Sequence, residues 1–266
     1  MIDVAAYTRR IGHEGPLEPT AATLRALQLA HLRAVPFENL DIHLGRPIVL
    51  EMDALLRKVV GERRGGFCYE LNGTFADLLG ALGFSVSMLA AEVANGEGGY
   101  GLPFDHMTLE VTCPGDSTPW LADVGFGDSF LEPLRLVAGE EQAQDGWVYR
   151  IEEEGGLLVL ARRQEPDGPN RPQYRFTRQP HRLADYEEMC RYQQTSPDSH
   201  FTQGRICSLA TPDGRITLGQ DRLVVTRRGE RTERPVADDA EYRALLRDRF
   251  GIDVTGPWVE PSRPPG

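Results

Sequence analysis

Within residues 1–80, apolar side chains recur every three to four positions, which is the spacing of helices buried on one face. One such segment begins after Thr20, one runs from Asp53 to Val60, and one begins at Cys68. The first is expected to end near Val35, because a residue that precedes a proline is pushed away from helical backbone. The last is expected to end just before Gly83, a natural C-terminal cap. The N-terminal third of the chain is therefore predicted to be helical.

After Gly83, apolar and polar side chains alternate, which is typical of half-buried strands. Strands are predicted at 84–88, 107–112, 120–124, 147–151, 157–161, 216–218 and 223–226. No helical pattern separates the strands up to 161, so an antiparallel sheet or barrel fits better than a parallel sheet. The stretch 164–173 is rich in Pro, Gly, Asp and Asn and is predicted to be an exposed loop. A closing helix is predicted from Asp238 to Phe250, and the tail from Glu260 is predicted to fray.

Composition and charge are those of an ordinary globular protein. The 266 residues are 40% apolar and 26% charged, with a formal charge of −11. No run of about 18 apolar residues exists, so no membrane-spanning helix is predicted. Lysine is nearly absent, and no basic stripe is present to neutralise nucleic-acid phosphates. The start of the sequence lacks the basic and apolar regions of a signal peptide, so we expect a cytoplasmic location.

The cysteines lie at positions 68, 113, 190 and 207 and form no C-x-x-C pair, so we expect free thiols and no metal site. Of these, Cys68 stands where a nucleophile would. It follows Gly65 and Gly66, which let the backbone turn tightly, and it opens a predicted helix. Unpaired N–H groups at a helix start favour a thiolate. A buried packing cysteine explains the same position equally well.

A nucleophilic thiol needs a base and a group that orients the base. His106 begins a predicted strand after a Gly-rich loop, and Asp123 ends the next one. Adjacent antiparallel strands would bring the two side chains together. Each residue alone is more often structural, however, so the spacing by itself does not establish a catalytic triad.

Several ordered motifs resemble those of the arylamine N-acetyltransferase family, over nearly the whole chain. They are Tyr7–Gly12 (Y-x-x-R-I-G), Val35–Leu40 (V-P-F-E-N-L), Arg64–Cys68 (R-G-G-F-C), His106, Asp123–Gly127 (D-V-G-F-G) and Thr195–Phe201 (the S-P-x-S-x-F segment). Each motif alone would be weak, whereas their order along one chain is specific.

The resemblance implies an α+β fold in three parts around a cysteine-protease-like Cys-His-Asp core. A helical bundle over 1–83 would carry the nucleophile. An antiparallel β-barrel over 84–190 would carry the histidine and the aspartate. An α/β lid over 191–266 would close over the cleft. This division agrees with the change of period after Gly83.

The resemblance also implies a ping-pong transfer of an acetyl group from acetyl-CoA to an arylamine or arylhydrazine nitrogen, without a metal. Cys68 would carry the acetyl group as a thioester, His106 would move the protons, and Asp123 would orient His106. Asn72, one helical turn after Cys68, would support the triad. The resemblance further implies that the acceptor pocket is lined by Phe37, Val93, Phe126 and Phe201. It places Tyr192, Ser196 and Ser199 near CoA.

Several alternatives remain open at the level of sequence. An amide synthase that closes a macrolactam, or a thiol acyl-hydrolase, would use the same three residues, whereas a non-catalytic binding protein would need none of them. Arg64 either forms a solvated charge pair with Arg63 or pairs with a buried acid such as Glu38. The oligomeric state is open, with a homo-oligomer as one option. Asp198 would repel CoA phosphates, and it departs, with His200, from the family pattern.

Overall fold

The computed structural model describes residues 2–96, 98–165 and 167–259. Its N-terminal third is helical, as predicted. The elements are α1 (Val4–Ile11), α2 (Ala21–Ala34), β1 (Phe37–Glu38), α3 (Leu40–His43), α4 (Met52–Leu56), a π-helical turn (Arg57–Gly61) and α5 (Cys68–Ala81). Thr20 caps α2, since its hydroxyl accepts the N–H of Thr23 at 3.2 Å, and α2 ends before Val35 as expected.

Arg10 joins these helices through its buried guanidinium. It donates hydrogen bonds to the carbonyl oxygens of Ala34 at 2.7 Å, Val59 at 3.0 Å and Arg64 at 3.2 Å. These oxygens lie at the end of α2, in the π-helical turn and in the loop before α5. One side chain of the Y-x-x-R-I-G motif thus fixes three segments around the start of α5.

The central part is one antiparallel sheet of eight strands in the order β5-β4-β3-β2-β9-β8-β7-β6. Its strands are β2 (Ser85–Val93), β3 (His106–Thr112), β4 (Trp120–Ala122), β5 (Leu134–Arg135), β6 (Glu141–Gln144), β7 (Trp147–Glu154), β8 (Leu157–Arg163) and β9 (Arg171–His181). The predicted strands around 84–161 are all present. Strands β7 and β8 pair as a hairpin, and the chain reverses at Gly155 and Gly156, whose φ angles are both positive, at +59° and +86°.

The two edges of this sheet are joined by glutamine side chains. The amide of Gln142, in β6, accepts the N–H of Arg135 at 2.7 Å and donates to its carbonyl oxygen at 3.0 Å. Gln144 does the same with Glu132, at 2.9 and 2.8 Å. The two side-chain amides thereby bond β6 to the backbone of β5 and of the residues just before it, and the sheet closes into a barrel-like form.

Strand β9 corrects the predicted loop at 164–173, because residues 171–173 already belong to this strand. Tyr174 and Phe176 point into the core. The prolines at 172 and 180 hid this alternation, since proline cannot donate to a strand ladder. Both lie beside irregularities in the pairing with the neighbouring strands, where proline is tolerated.

A second antiparallel sheet has the order β1-β10-β11-β12-β13. The remaining elements are a 3-10 turn (Leu183–Tyr186), α6 (Glu187–Thr195), α7 (His200–Gln203), β10 (Ile206–Thr211), β11 (Gly214–Gly219), β12 (Arg222–Arg227), β13 (Glu230–Pro235) and α8 (Asp239–Phe250). The predicted closing helix and the predicted strands at 216–218 and 223–226 are confirmed, and the two strands pair with each other as part of β11 and β12. The tail expected to fray, Glu260–Gly266, lies outside the described residues.

The fold is α+β, as predicted. Strand β1 comes from the N-terminal third but pairs with β10, so it joins the helical part to the second sheet. The division of the chain at residues 83 and 190 stays a prediction. Within the described ranges, no helix is long and apolar enough to cross a membrane.

Candidate active site

Cys68 is the first residue of α5 and is buried, with 3% of its surface exposed. The loop after β4 packs directly against it at Gly125. A Cβ atom on Gly125 would lie 2.7 Å from the Cα atom of Cys68 and 2.8 Å from Nδ2 of Asn72. Only glycine allows this approach, which explains the first glycine of the D-V-G-F-G motif.

His106 and Asp123 meet as the predicted pairing of adjacent strands requires. Strands β3 and β4 pair antiparallel, with Leu109 opposite Ala122. His106 Nε2 lies 2.7 Å from Asp123 Oδ2. Because Nε2 contacts Asp123, Nδ1 is the His106 ring nitrogen that remains for a second partner.

The Asp123 carboxylate is buried, yet it accepts hydrogen bonds on both oxygens. Oδ2 accepts from His106 and from the hydroxyl of Tyr174 at 3.1 Å. Oδ1 accepts from Asn72 Nδ2 and from the N–H of Gly125, both at 2.9 Å. Burial acts to raise the pKa of Asp123, but the His106 charge and these donors hold it below its usual value. The carboxylate is thus kept ionised.

Asn72 connects α5 to strand β3, which begins at His106, and to the loop after β4, which carries Asp123. Its Nδ2 donates to Asp123 and, at 2.6 Å, to the carbonyl oxygen of Met107. Its Oδ1 accepts the N–H of Val124 at 2.9 Å. The sequence placed Asn72 on the Cys68 side of the helix, and the structure shows what it contacts there.

The Cys68 sulfur lies against the backbone on both sides of His106. It is 4.0 Å from the carbonyl oxygen of Asp105, and the N–H of Met107 points at it. Burial raises the pKa of the Cys68 thiol well above its usual value. The Met107 N–H lowers this pKa, whereas the charges of Asp123 and Asp105 raise it further. Burial thus opposes the thiolate that the helix start was expected to favour.

The loop before Cys68 is held by a buried ionic cluster of Glu38, Asp41, Lys58, Arg64 and Glu70. Arg64 pairs with Glu38 at 2.8 Å and with Asp41 at 3.0 Å. Lys58, the only lysine in the sequence, lies 2.7 Å from both Asp41 and Glu70. Glu70 also accepts the N–H of Phe67 at 3.1 Å, which helps to cap α5. Of the two options for Arg64, the structure therefore selects the buried pair with Glu38.

The four predicted acceptor-pocket residues lie around this centre. The ring centroid of Phe126 is 5.2 Å from that of His106, and the centroids of Phe37 and Phe201 are 6.0 Å apart. A Cβ atom on Gly127 would lie 3.5 Å from the Phe37 ring, so the loop that carries Phe126 contacts Phe37. Val93 is paired in register with Tyr174, which places the two side chains on one face of the sheet.

The three residues predicted near CoA lie at the end of α6. Tyr192 and Ser196 are half-buried. Ser199 is buried, and its hydroxyl donates to Gln193 Oε1 at 2.5 Å while it accepts the N–H of Phe201 at 3.2 Å. The protein itself therefore uses the Ser199 hydroxyl to shape this turn.

Two contacts of Asp123 escaped the sequence analysis. Tyr174 lies in the strand hidden by Pro172 and Pro180. Gln28, from α2, accepts the backbone N–H of Asp123 at 3.2 Å through Oε1. Gln28 is fully buried and lies on the apolar face of its helix. A polar residue at such a position in the sequence indicates a buried hydrogen bond. No group of three or more His, Cys, Asp or Glu in the described parts of the chain could hold a metal ion.

A cysteine, a histidine and an aspartate arranged in this way are the groups of a thiol-dependent acyl-transfer enzyme. The sequence matches the model of a family described as N-acetyltransferase over residues 20–259. It is 38% identical to the arylamine N-acetyltransferase of Mycolicibacterium smegmatis, over 95% of this chain and 93% of that protein. The chain therefore belongs to the arylamine N-acetyltransferase family and is an acyltransferase.

Solved structures agree with this assignment. The M. tuberculosis arylamine N-acetyltransferase is 36% identical, with a TM-score of 0.87 and 94% of each chain covered. The Mycobacterium marinum enzyme in complex with CoA is 35% identical, with a TM-score of 0.86 over 94% of this chain and 93% of that chain.

Proposed function

We propose that the protein transfers an acetyl group from acetyl-CoA to the nitrogen of an arylamine or arylhydrazine, by way of a Cys68 thioester. The observation that carries this proposal is the hydrogen-bonded pair of His106 and Asp123, with the Cys68 sulfur against the backbone on both sides of His106. The family relatives are named as arylamine N-acetyltransferases, and one of them is solved with CoA.

In the first half-reaction, Nδ1 of His106 takes the proton of the Cys68 thiol while the sulfur attacks the acetyl carbonyl carbon. Asp123 accepts the Nε2–H, so it fixes the tautomer with Nδ1 unprotonated and stabilises the imidazolium that forms. The backbone N–H of Cys68, at the first position of α5, stabilises the oxyanion. The C–S bond to CoA then breaks, and the CoA sulfur leaves with the proton from His106.

In the second half-reaction, the aryl nitrogen attacks the Cys68 thioester. His106 takes a proton from that nitrogen and returns it to the cysteine sulfur as the amide forms. The resting thiol is restored, which balances the cycle. Phe37, Val93, Phe126 and Phe201 supply an apolar wall for a flat aromatic acceptor. Tyr192, Ser196 and Ser199 form the turn that we assign to the CoA side.

The experiment that tests this proposal is mass spectrometry of the protein after mixing with acetyl-CoA alone. We expect a gain of one acetyl group on Cys68, and its loss when an arylamine is added. Cys68→Ala should remain unmodified, whereas Cys190→Ala should be acetylated as the wild type is. An unmodified wild type would argue for another acyl donor. Rapid loss of the acetyl group in water without an amine would argue for a hydrolase.

A further inference from the structure

Two arginines from different sheets converge on one aspartate beside the candidate site. Arg162, in β8, and Arg215, in β11, each lie 3.2 Å from the Asp128 carboxylate, on Oδ2 and Oδ1 respectively. Arg162 also donates to the backbone carbonyl oxygen of Asp128 at 3.3 Å. Arg215 donates to the hydroxyl of Ser208 at 3.2 Å.

The charges in this cluster do not balance. Both guanidinium groups are largely buried, with 16% of each side chain exposed, whereas the Asp128 side chain is 66% exposed. Burial lowers the pKa of Arg215, although the Asp128 charge raises it. Two largely buried cations thus share one solvent-exposed carboxylate. Such a pair favours a second or stronger anion over a single carboxylate.

The cluster adjoins the proposed acceptor pocket by two separate routes. Asp128 follows Phe126 by two residues, and the Phe126 ring contacts His106. Ser208, which receives the Arg215 hydrogen bond, pairs with Phe37 between β10 and β1. If a bound molecule contacts Phe126 or Phe37, an anionic group on that molecule would therefore lie near the two arginines.

We propose that Arg162 and Arg215 form an anion-binding site for a charged group of a substrate, and that Asp128 is the counter-ion which this group displaces. The proposal deepens the proposed function and rests on it. The chemistry required is a phosphate or a carboxylate that guanidinium groups can bind in a bidentate manner. A phosphate would come from acetyl-CoA, and a carboxylate from an aromatic acceptor that carries one. The site would supply the local positive charge that an anionic substrate needs on a protein of net charge −11.

Substitution of Asp128 gives the sharpest test, because a binding role and a merely structural role predict opposite signs. Asp128→Asn removes the competing carboxylate but keeps the shape, so the KM for the anionic substrate should fall several-fold. Arg215→Gln should raise, about tenfold, the ratio of the KM values for anionic and neutral substrates, as expected when one charge-assisted contact is lost. Arg178→Gln, which removes an exposed ion pair with Glu110 on the barrel, is the matched control and should change neither value.

Paired substrates identify the source of the anion. Acetyl-CoA is compared with p-nitrophenyl acetate as donor, and 4-aminobenzoate with 4-methylaniline as acceptor. A shift confined to acetyl-CoA assigns a phosphate, and one confined to 4-aminobenzoate assigns a carboxylate. An Asp128→Asn protein with a raised KM for both anionic substrates would overturn the proposal. Equal changes for charged and neutral substrates in every variant would also overturn it.

Inorganic phosphate gives a readout that does not depend on activity. Phosphate should raise the melting temperature of Asp128→Asn more than that of the wild type, and should have no such effect on the Arg162→Gln/Arg215→Gln double variant. Equal effects on all three proteins would contradict an anion site here. Acetylation of Cys68 at saturating acetyl-CoA would still occur in that case, so the failure of this proposal is distinguishable from failure of the proposed function.

Discussion

Asp123 shows how a single residue is prepared for its role by its neighbours. It is buried and accepts four hydrogen bonds, and the His106 charge with the bonds from His106, Asn72 and Gly125 holds its pKa below the usual value. We expect Asp123→Asn to fold and to lose turnover by several orders of magnitude, as loss of the corresponding carboxylate does in serine proteases. The asparagine can no longer both accept the Nε2–H and balance the imidazolium charge. The measurement is kcat, with the circular dichroism spectrum as the check on folding, and near-normal turnover would remove Asp123 from the mechanism.

We expect His31 to make the stability of the protein depend on pH. It is fully buried, its Nδ1 lies 3.0 Å from the Tyr7 hydroxyl, and burial, aided by the Arg10 charge, lowers its pKa to about 3. The unfolded chain would take up a proton on this residue below about pH 6.5, whereas the folded protein would not. Stability is therefore complete above the unfolded pKa and falls as the pH drops towards 3, by up to about 1.4 kcal/mol per pH unit.

The check is the free energy of unfolding in urea between pH 4.5 and 7, compared for the wild type and His31→Gln. Glutamine can keep a hydrogen bond to Tyr7 but does not titrate, so the variant should show a shallower loss of stability in acid. His13→Gln, in the loop after α1, serves as control. If the His31→Gln and wild-type curves stay parallel, another group causes the acid sensitivity.

For single residues, the sequence indicated those site residues whose type is unusual for their position. It did not indicate the site residues whose type is common at such a position. Cys68, His106 and Asp123 stand out in short motifs. Tyr174 resembles any core tyrosine, and its hydrogen bond to Asp123 follows only from the register of β9 with β2. Contacts of this kind depend on pairing between strands far apart in sequence, and no local pattern encodes that pairing.

Among the elements, the π-helical turn at Arg57–Gly61 places Lys58 among buried carboxylates. Burial opposes the Lys58 charge, but Glu70, Glu38 and Asp41 raise its pKa above the usual value. We expect Lys58→Met to lower the free energy of unfolding by about 3–5 kcal/mol, since Glu70 loses its cation in the cluster and Asp41 keeps only Arg64.

Urea unfolding checks this expectation. The exposed neighbour Arg57 provides the control, and Arg57→Met should change stability by less than about 0.5 kcal/mol. Adding Glu70→Gln to Lys58→Met should restore part of the loss, because it removes one uncompensated charge. Equal, small effects of Lys58→Met and Arg57→Met would show that the cluster tolerates the missing cation.

Elements with a long, regular period were predicted well, and those without one were not. Helices α2 and α5 and the alternating strands β3, β7 and β8 carry enough turns or pairs for the pattern to be visible. Strand β1 has two residues and therefore no period, although it is the strand that joins the helical part to the second sheet. Its existence depends on β10, which follows much later in the chain.

For the whole molecule, the family motifs predicted the fold class and the grouping of the three central residues. They did not locate positive charge on an acidic protein. Arg162 and Arg215 come together only when the barrel-like sheet and the second sheet pack around Asp128, and each arginine in the sequence resembles the many others. Global packing, rather than any local signal, creates this part of the site.

The burial of Lys58 also gives the molecule a built-in chemical probe. No second lysine exists in the sequence, and this amine is enclosed by Asp41 and Glu70 beside the loop that presents Cys68. An amine-reactive ester can modify this side chain only when the cluster opens. The rate of Lys58 labelling should therefore report the opening of the loop before Cys68 directly, in the unaltered protein and without competition from surface lysines.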